Sequence, residues 1–317
     1  MHKTGFYTHP DCRRHDMGRG HPECPERLDA IEDRLLAARL LDVIERREAP
    51  LASTETLELA HDRMHIAGIR GLADELREQE DAGGMDHLHI DPDTALNRHS
   101  LNAALRGAGA AIAATDAVIA GELENAFCAV RPPGHHATRQ RAMGFCIFNN
   151  VAVAARYALE RHGLQRVAVI DFDVHHGNGT EDILSGDPRV LMVGIFQHPF
   201  YPYSGHDPLG DNMVNLPVPA YTKGPAIRQL IEKHWLPALE EFKPEMLFIS
   251  AGFDAHREDD LGQLGLVEAD YAWITGQLMD VARRHAKGRI VSSLEGGYNL
   301  DALGRSVEAH VRTLAGV

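Results

Sequence analysis

The stretch RVAVIDFDVHHGNGTED, residues 166–182, decides the fold. Its opening residues are branched and apolar, and the segment closes on a Gly-rich turn. That is the pattern of a strand buried on both faces in a parallel sheet. Such a strand ordinarily ends in a neutral loop, yet this one runs into Asp171, Asp173 and His175. The three share one parity, so in extended chain they project to one side and Phe172 and Val174 to the other. Ligand-type side chains at that position point to a site at the carboxyl edge of the sheet, where open α/β sheets bind their ligands.

Working outward, the same rhythm recurs. Strands are expected at 126–130, 166–171, 190–195, 246–250 and 289–294, and helices near 148–161, 225–242, 268–286 and from about 301. An Ala-rich helix starts near 100 and another follows Pro25; residues 1–24 and the polar stretch 85–97 read as loops. Alternation of this kind predicts an α/β fold with a mostly parallel sheet covered by helices on both faces. With no linker or repeat in sight, the expectation is one domain over residues 1–317. Four of the strands lead into polar segments, RPPGHHA (131–137), DVHHGNG (173–179), AGFDAH (251–256) and EGGYN (295–299), which should meet at one rim.

Composition narrows the function. The net charge of −14 and the absence of a Lys/Arg block argue against binding nucleic-acid phosphates. No apolar run approaches a membrane span, and the first residues lack the apolar core of a signal peptide, so a cytoplasmic location is expected. The four cysteines form no CxxC pair and read as reduced thiols.

At the rim, Asp173, His175 and Asp254 offer two carboxylates and one imidazole, a three-ligand set that leaves a coordination position open for chemistry. Zn²⁺ suits it, and the oxygen-rich donors also accept Fe²⁺ or Mn²⁺. A DxH at a strand end carries little weight alone, because short polar residues there often cap the next helix; its weight comes from Asp254.

The motifs RPPGHHA, GFCIFNN (144–150), DFDVHHGNGTED (171–182), SAGFDAH (250–256) and LEGGYN (294–299), in this order, resemble the zinc-dependent histone deacetylase family, particularly its class II and bacterial members. HDMGRGHPECPERL (15–28) is similar to the family's first loop. The resemblance implies a three-layer arginase-like fold and hydrolysis of an N-acetylated amine, with zinc on Asp173, His175 and Asp254. It implies that His136 is the general base, partnered by Asn178, that Asp171 orients His135, and that Tyr298 on the Gly296–Gly297 turn donates to the oxyanion. Phe145 and Tyr201 would wall an acyl-lysine tunnel beside Gly144 and Gly296, and Asp93 would grip substrate backbone at the rim. A structural K⁺ is implied at Asp171, Asp173 and His175, although Gly194 stands where the family supplies a serine. Leu261 occupies the position where polyamine-selective relatives carry a glutamate.

The implied substrate is an acetylated lysine in a peptide or protein. Alternatives are an acetylpolyamine amidohydrolase, for which Glu258, Asp259 and Asp260 lie near; a two-manganese ureohydrolase, whose extra bridging carboxylates are missing; and a non-enzymatic acetyl-lysine reader, against which the intact dyad and Tyr298 speak.

Overall fold

The computed structural model describes residues 2–317. Its ten strands are β1 (Thr4–Thr8), β2 (Glu45–Glu48), β3 (His87–Asp91), β4 (Thr94–Asn97), β5 (Asn125–Cys128), β6 (Val167–Asp171), β7 (Val190–Gln197), β8 (Met213–Val218), β9 (Met246–Ala251) and β10 (Ile290–Leu294). Eight form one sheet in the order β2-β1-β5-β10-β9-β6-β7-β8, with every neighbouring pair parallel. Every residue of β5, β6, β7, β9 and β10 is buried, which is why these strands read as mainly apolar rather than alternating segments. The charged β2, with alternate side chains exposed, closes one edge.

The helices Ser100–Ile119 and Asn150–Arg161 pack together on one face, and Glu26–Ala37, Glu268–His285 and Leu300–Ala315 pack on the other. Two of them begin where a motif ends. Asn149 of GFCIFNN accepts the Ala152 N–H at 3.0 Å, and Asn299 of LEGGYN accepts the Ala302 N–H at 3.0 Å. Both asparagines are N-caps, so these motifs end as helix starts.

Two loop expectations are corrected. Residues 85–97 contain the antiparallel hairpin β3–β4, because Leu88 and Ile90 alternate with polar neighbours and pack against the core while Asp91 to Thr94 turn the chain. The entry segment is not irregular throughout: Gly5, Phe6 and Tyr7 are buried in β1, an apolar run too short to stand out in a polar context. The structure adds the edge strands β2 and β8 and the helix Arg63–Asp81 to the elements expected from the sequence.

The site depends on one feature of the strand order. The four strands that precede the polar motifs, β5, β10, β9 and β6, are consecutive neighbours in the sheet. Chain segments as far apart as residues 131 and 299 therefore emerge side by side.

Candidate metal centre and active site

Strand β6 stops at Asp171, so Asp173 and His175 lie in the loop beyond it, and strand parity is not what brings them together. Hydrogen bonds do. Asp171 Oδ1 accepts the Asp173 N–H at 3.1 Å, and Asp173 Oδ1 accepts the His175 N–H at 2.9 Å. Each aspartate thus satisfies the amide two residues ahead, and the D-x-D-x-H spacing writes two successive turns into the chain. From β9, Asp254 Oδ1 accepts the Val174 N–H at 2.9 Å, and from β10 the Gly296 N–H donates to Asp173 Oδ2 at 2.8 Å.

These bonds leave donor atoms of Asp173, His175 and Asp254 within 4.8 Å of one another. Asp254 Oδ2 is buried, has no hydrogen-bond partner among the described residues and lies 3.3 Å from His175 Nδ1. A buried, unpaired carboxylate oxygen is costly unless a cation meets it. Burial would lower the pKa of His175, but the hydrogen bond to Asp173 and the charges of Asp254 and Asp173 outweigh it and hold the imidazole up at about 10. The same burial, with the charge of Asp173, raises Asp254 to about 7. The pocket therefore demands positive charge, and these donors fit a divalent metal ion. Gly252 and Gly296 keep it open, since a Cβ on either would collide with the Asp173 carboxylate, and at Gly296 with Asp254 as well.

Beside this centre the rings of His135 and His136 lie 4.0 Å apart. His135 Nδ1 is 3.0 Å from Asp171 Oδ2, and the charges of Asp173 and Asp171 overcome burial to raise its pKa well above the ordinary value. His136 Nδ1 donates to Asn178 Oδ1 at 2.7 Å, leaving Nε2 as the free lone pair. Burial, then the positive charges of His135 and His175, push His136 well below the usual histidine range. One imidazole of the dyad is thus held charged and the other neutral.

A cavity of about 290 Å³ opens onto these groups. His136, His175 and Tyr298 line it together with the expected Asp93, Gly144, Phe145, Tyr201 and Leu261, and with Phe200 and Asp260. Phe145 sits at φ +68° behind Gly144 at φ +56°, and its N–H donates to Thr94 Oγ1 at 3.0 Å. Gly144 must be glycine, because a Cβ there would strike the His136 ring. Phe200, which the sequence reading missed, stacks on His175 at 5.4 Å, and Tyr201 meets His136 edge-on at 5.2 Å. The Asp93 carbonyl accepts from His21 at 3.2 Å, tying the first loop to the rim. Of the three acids at 258–260, only Asp260 reaches the cavity: Glu258 pairs with Arg305, and Asp259 is buried.

Glu295 was also missed. Fully buried, it accepts from the amides of Gly134 (2.6 Å) and His135 (3.0 Å) and from Ser250 Oγ (3.0 Å), joining the dyad segment to β9 and β10. Nothing in the periodicity separates this acid from a solvated one.

Comparison with known proteins agrees with this geometry. The histone deacetylase domain model matches residues 21–314. The histone deacetylase-like amidohydrolase of Pseudomonas aeruginosa is 39% identical over 287 residues, covering 88% of this chain and 73% of that protein. The mouse polyamine deacetylase HDAC10 is 39% identical over 308 residues, covering 93% of this chain and 45% of that protein. The solved HDA15 HD domain superposes with a TM-score of 0.90 at 31% identity, over 100% of this chain and 90% of that one. The parallel sheet is therefore that of the arginase-like α/β fold, and the rim formed by β5, β10, β9 and β6 places this chain in the histone deacetylase family of amidohydrolases.

Proposed function

We propose that the chain, acting as one domain, removes acetyl groups from lysine side chains of peptides or proteins. The observation that carries this reading is the cavity itself: aromatic walls from Phe145, Phe200 and Tyr201, apolar Leu261 at the mouth, and His136 and Tyr298 beside the metal-type donors. Such walls suit the methylenes of an acyl-lysine, and the rim carboxylate of Asp93 suits backbone amides.

Asp173, His175 and Asp254 would hold Zn²⁺, with Fe²⁺ compatible with the same donors. Bound there, the ion supplies polarisation of the amide carbonyl and a lowered pKa for water. His136, neutral because of burial and the cationic His135 beside it, takes the proton of the attacking water and passes one to the leaving amine. Asp171 keeps His135 charged and oriented beside it, and Asn178 fixes the His136 tautomer. Tyr298 donates its hydroxyl to the oxyanion. A structural K⁺ belongs to the same reading. The space left by Gly194 is faced by the Asp171 carbonyl and by Asn215 Oδ1, a buried acceptor without a partner among the described residues.

A second reading, an acetylated polyamine as substrate, is favoured by Asp93 and Asp260 at the cavity and by the mouse polyamine deacetylase among the relatives. Turnover of an acetyl-lysine peptide and of acetylspermidine, on the parent and on Leu261→Glu, separates the two. The parent should prefer the peptide. The new carboxylate at the mouth should shift preference towards the polyamine by about 1.5–3 kcal/mol, the worth of a hydrogen bond to a charged group. A parent that already prefers acetylspermidine overturns the lysine reading and points to Asp260.

A further inference from the structure

The acids Glu258, Asp259 and Asp260 are consecutive, but they do three different things. Glu258 is on the surface with Arg305 at 2.6 Å, and Asp260 faces the cavity. Asp259 turns inward and is 6% exposed, with no cationic partner among the described residues. Its Oδ2 accepts the N–H groups of Tyr298 at 2.6 Å and Asn299 at 3.0 Å, and its Oδ1 accepts the Leu261 N–H at 3.0 Å. One buried carboxylate is thereby spent on three backbone amides.

Tyr298 needs such a hold. It follows Gly296 and Gly297, the latter at φ +119°, in a turn whose backbone has more freedom than any other pair of residues would allow. It precedes Asn299, the cap of the Leu300–Ala315 helix, so its amide lies at the positive end of that helix, where a carboxylate is favoured. The ring is bracketed by the Arg27 guanidinium, 4.9 Å from its centroid, and by Phe145, at 5.9 Å. These contacts limit the tilt of the ring. The position of its Cα, and so the reach of the hydroxyl into the cavity, depends on what grips the main chain.

We infer that Asp259 is a positioning residue that sets Tyr298 for the oxyanion and ties it to the rim residue Leu261, so that the mouth of the cavity and the hydroxyl donor move as one unit. The inference rests on the role proposed above for Tyr298. A charge-assisted bond of 2.6 Å is strong enough to fix an amide, and the shared carboxylate gives the rim and the donor a common anchor.

A double-mutant cycle on the metal-loaded enzyme tests this, with kcat, KM, metal content and melting temperature measured on an acetyl-lysine peptide for the parent, Asp259→Ala, Tyr298→Phe and the double variant. Tyr298→Phe should lower kcat by about 10²–10³, the usual loss for one oxyanion donor. Asp259→Ala should lower kcat by roughly 10- to 100-fold with KM nearly unchanged, as expected for a misplaced catalytic group. In the Tyr298→Phe background the same substitution should change kcat by no more than about twofold, within the error of such cycles. Where Asp259→Ala does not fold, Asp259→Asn carries the cycle, because one amide oxygen cannot serve three N–H groups and kcat should again fall only when the hydroxyl is present. Additive losses would overturn the inference while leaving the function intact. Parent-level turnover by Tyr298→Phe would overturn the role of Tyr298 itself, and the inference with it.

Discussion

Asp171 and Asp254 are both buried aspartates at the ends of neighbouring strands, yet their surroundings assign them different work. Among the described residues Asp254 keeps one oxygen without a hydrogen-bond partner, whereas both oxygens of Asp171 are engaged, one by the Asp173 amide and one by His135. Removing the first should therefore remove a ligand, and altering the second should disturb only an orientation. Asp254→Ala is expected to lose stoichiometric metal, because a three-donor site reduced to two forfeits most of its affinity. Asp171→Asn should keep the metal and lose turnover, since an amide cannot hold a positive charge on His135. Metal per chain and kcat, measured on both, check the contrast; an Asp254→Ala protein with full metal would refute the ligand assignment. The identities of these residues were legible because D-x-D-x-H and AGFDAH are local patterns. The hydrogen bonds that converge them were not, and neither were Phe200, Asp259 and Glu295, whose importance lies in partners distant along the chain.

At the scale of elements, the Ala-rich helix Ser100–Ile119 shows where local reasoning stops. Its small residues read as helix propensity, but Gly107 abuts the Asn150 side chain and a Cβ on Gly109 would drive into the Pro50 carbonyl. The helix is glycine there because another backbone crosses it. In the helix Arg63–Asp81, by contrast, Gly68 and Gly71 are exposed, and a Cβ at either would meet nothing within 4 Å. The same substitution should therefore have opposite signs. Gly68→Ala should raise stability by up to about 1 kcal/mol, the intrinsic helix preference for alanine over glycine. Gly109→Ala should lower it by about 1–3 kcal/mol, the usual cost of overpacking. Denaturant midpoints of the two variants decide the matter, and a stabilised Gly109→Ala would mean the segment around Pro50 yields freely. The hairpin β3–β4 has the same lesson in reverse. Its alternation was present in HLHID, but the acids and histidines masked it, and what orders it is the core beneath Leu88 and Ile90.

For the molecule as a whole, the sequence made legible which strands end in chemistry, and their contiguity follows from the order β5-β10-β9-β6, which no local pattern encodes. The supports under the site were illegible for the same reason. His310, one of twenty histidines, lies on the Leu300–Ala315 helix and bridges Thr275 Oγ1 of the neighbouring helix at 2.7 Å to Ser292 Oγ of β10 at 2.9 Å. The rings of Phe127, Phe172 and Phe253 surround it, and burial alone pushes its pKa down to about 3. The sign of the consequence follows from linkage. Below the ordinary histidine value the unfolded chain takes up a proton that the folded chain refuses, so the contribution of this neutral imidazole is complete above about pH 6.5 and is lost as pH falls towards 3. The slope is about 1.4 kcal/mol per pH unit for one such group. Other buried groups titrate in the same range, Glu295 being raised to about 7 by burial, so the absolute curve mixes several terms. A difference isolates one of them. His310→Gln, which keeps a donor and an acceptor but cannot take a proton, should be less stable than the parent at pH 7.5, and the gap should narrow between pH 6.5 and 5 at close to that slope. Unfolding free energies of the two proteins across this range, with metal held constant, provide the check; parallel curves would mean that the folded chain protonates His310 as readily as the unfolded chain does.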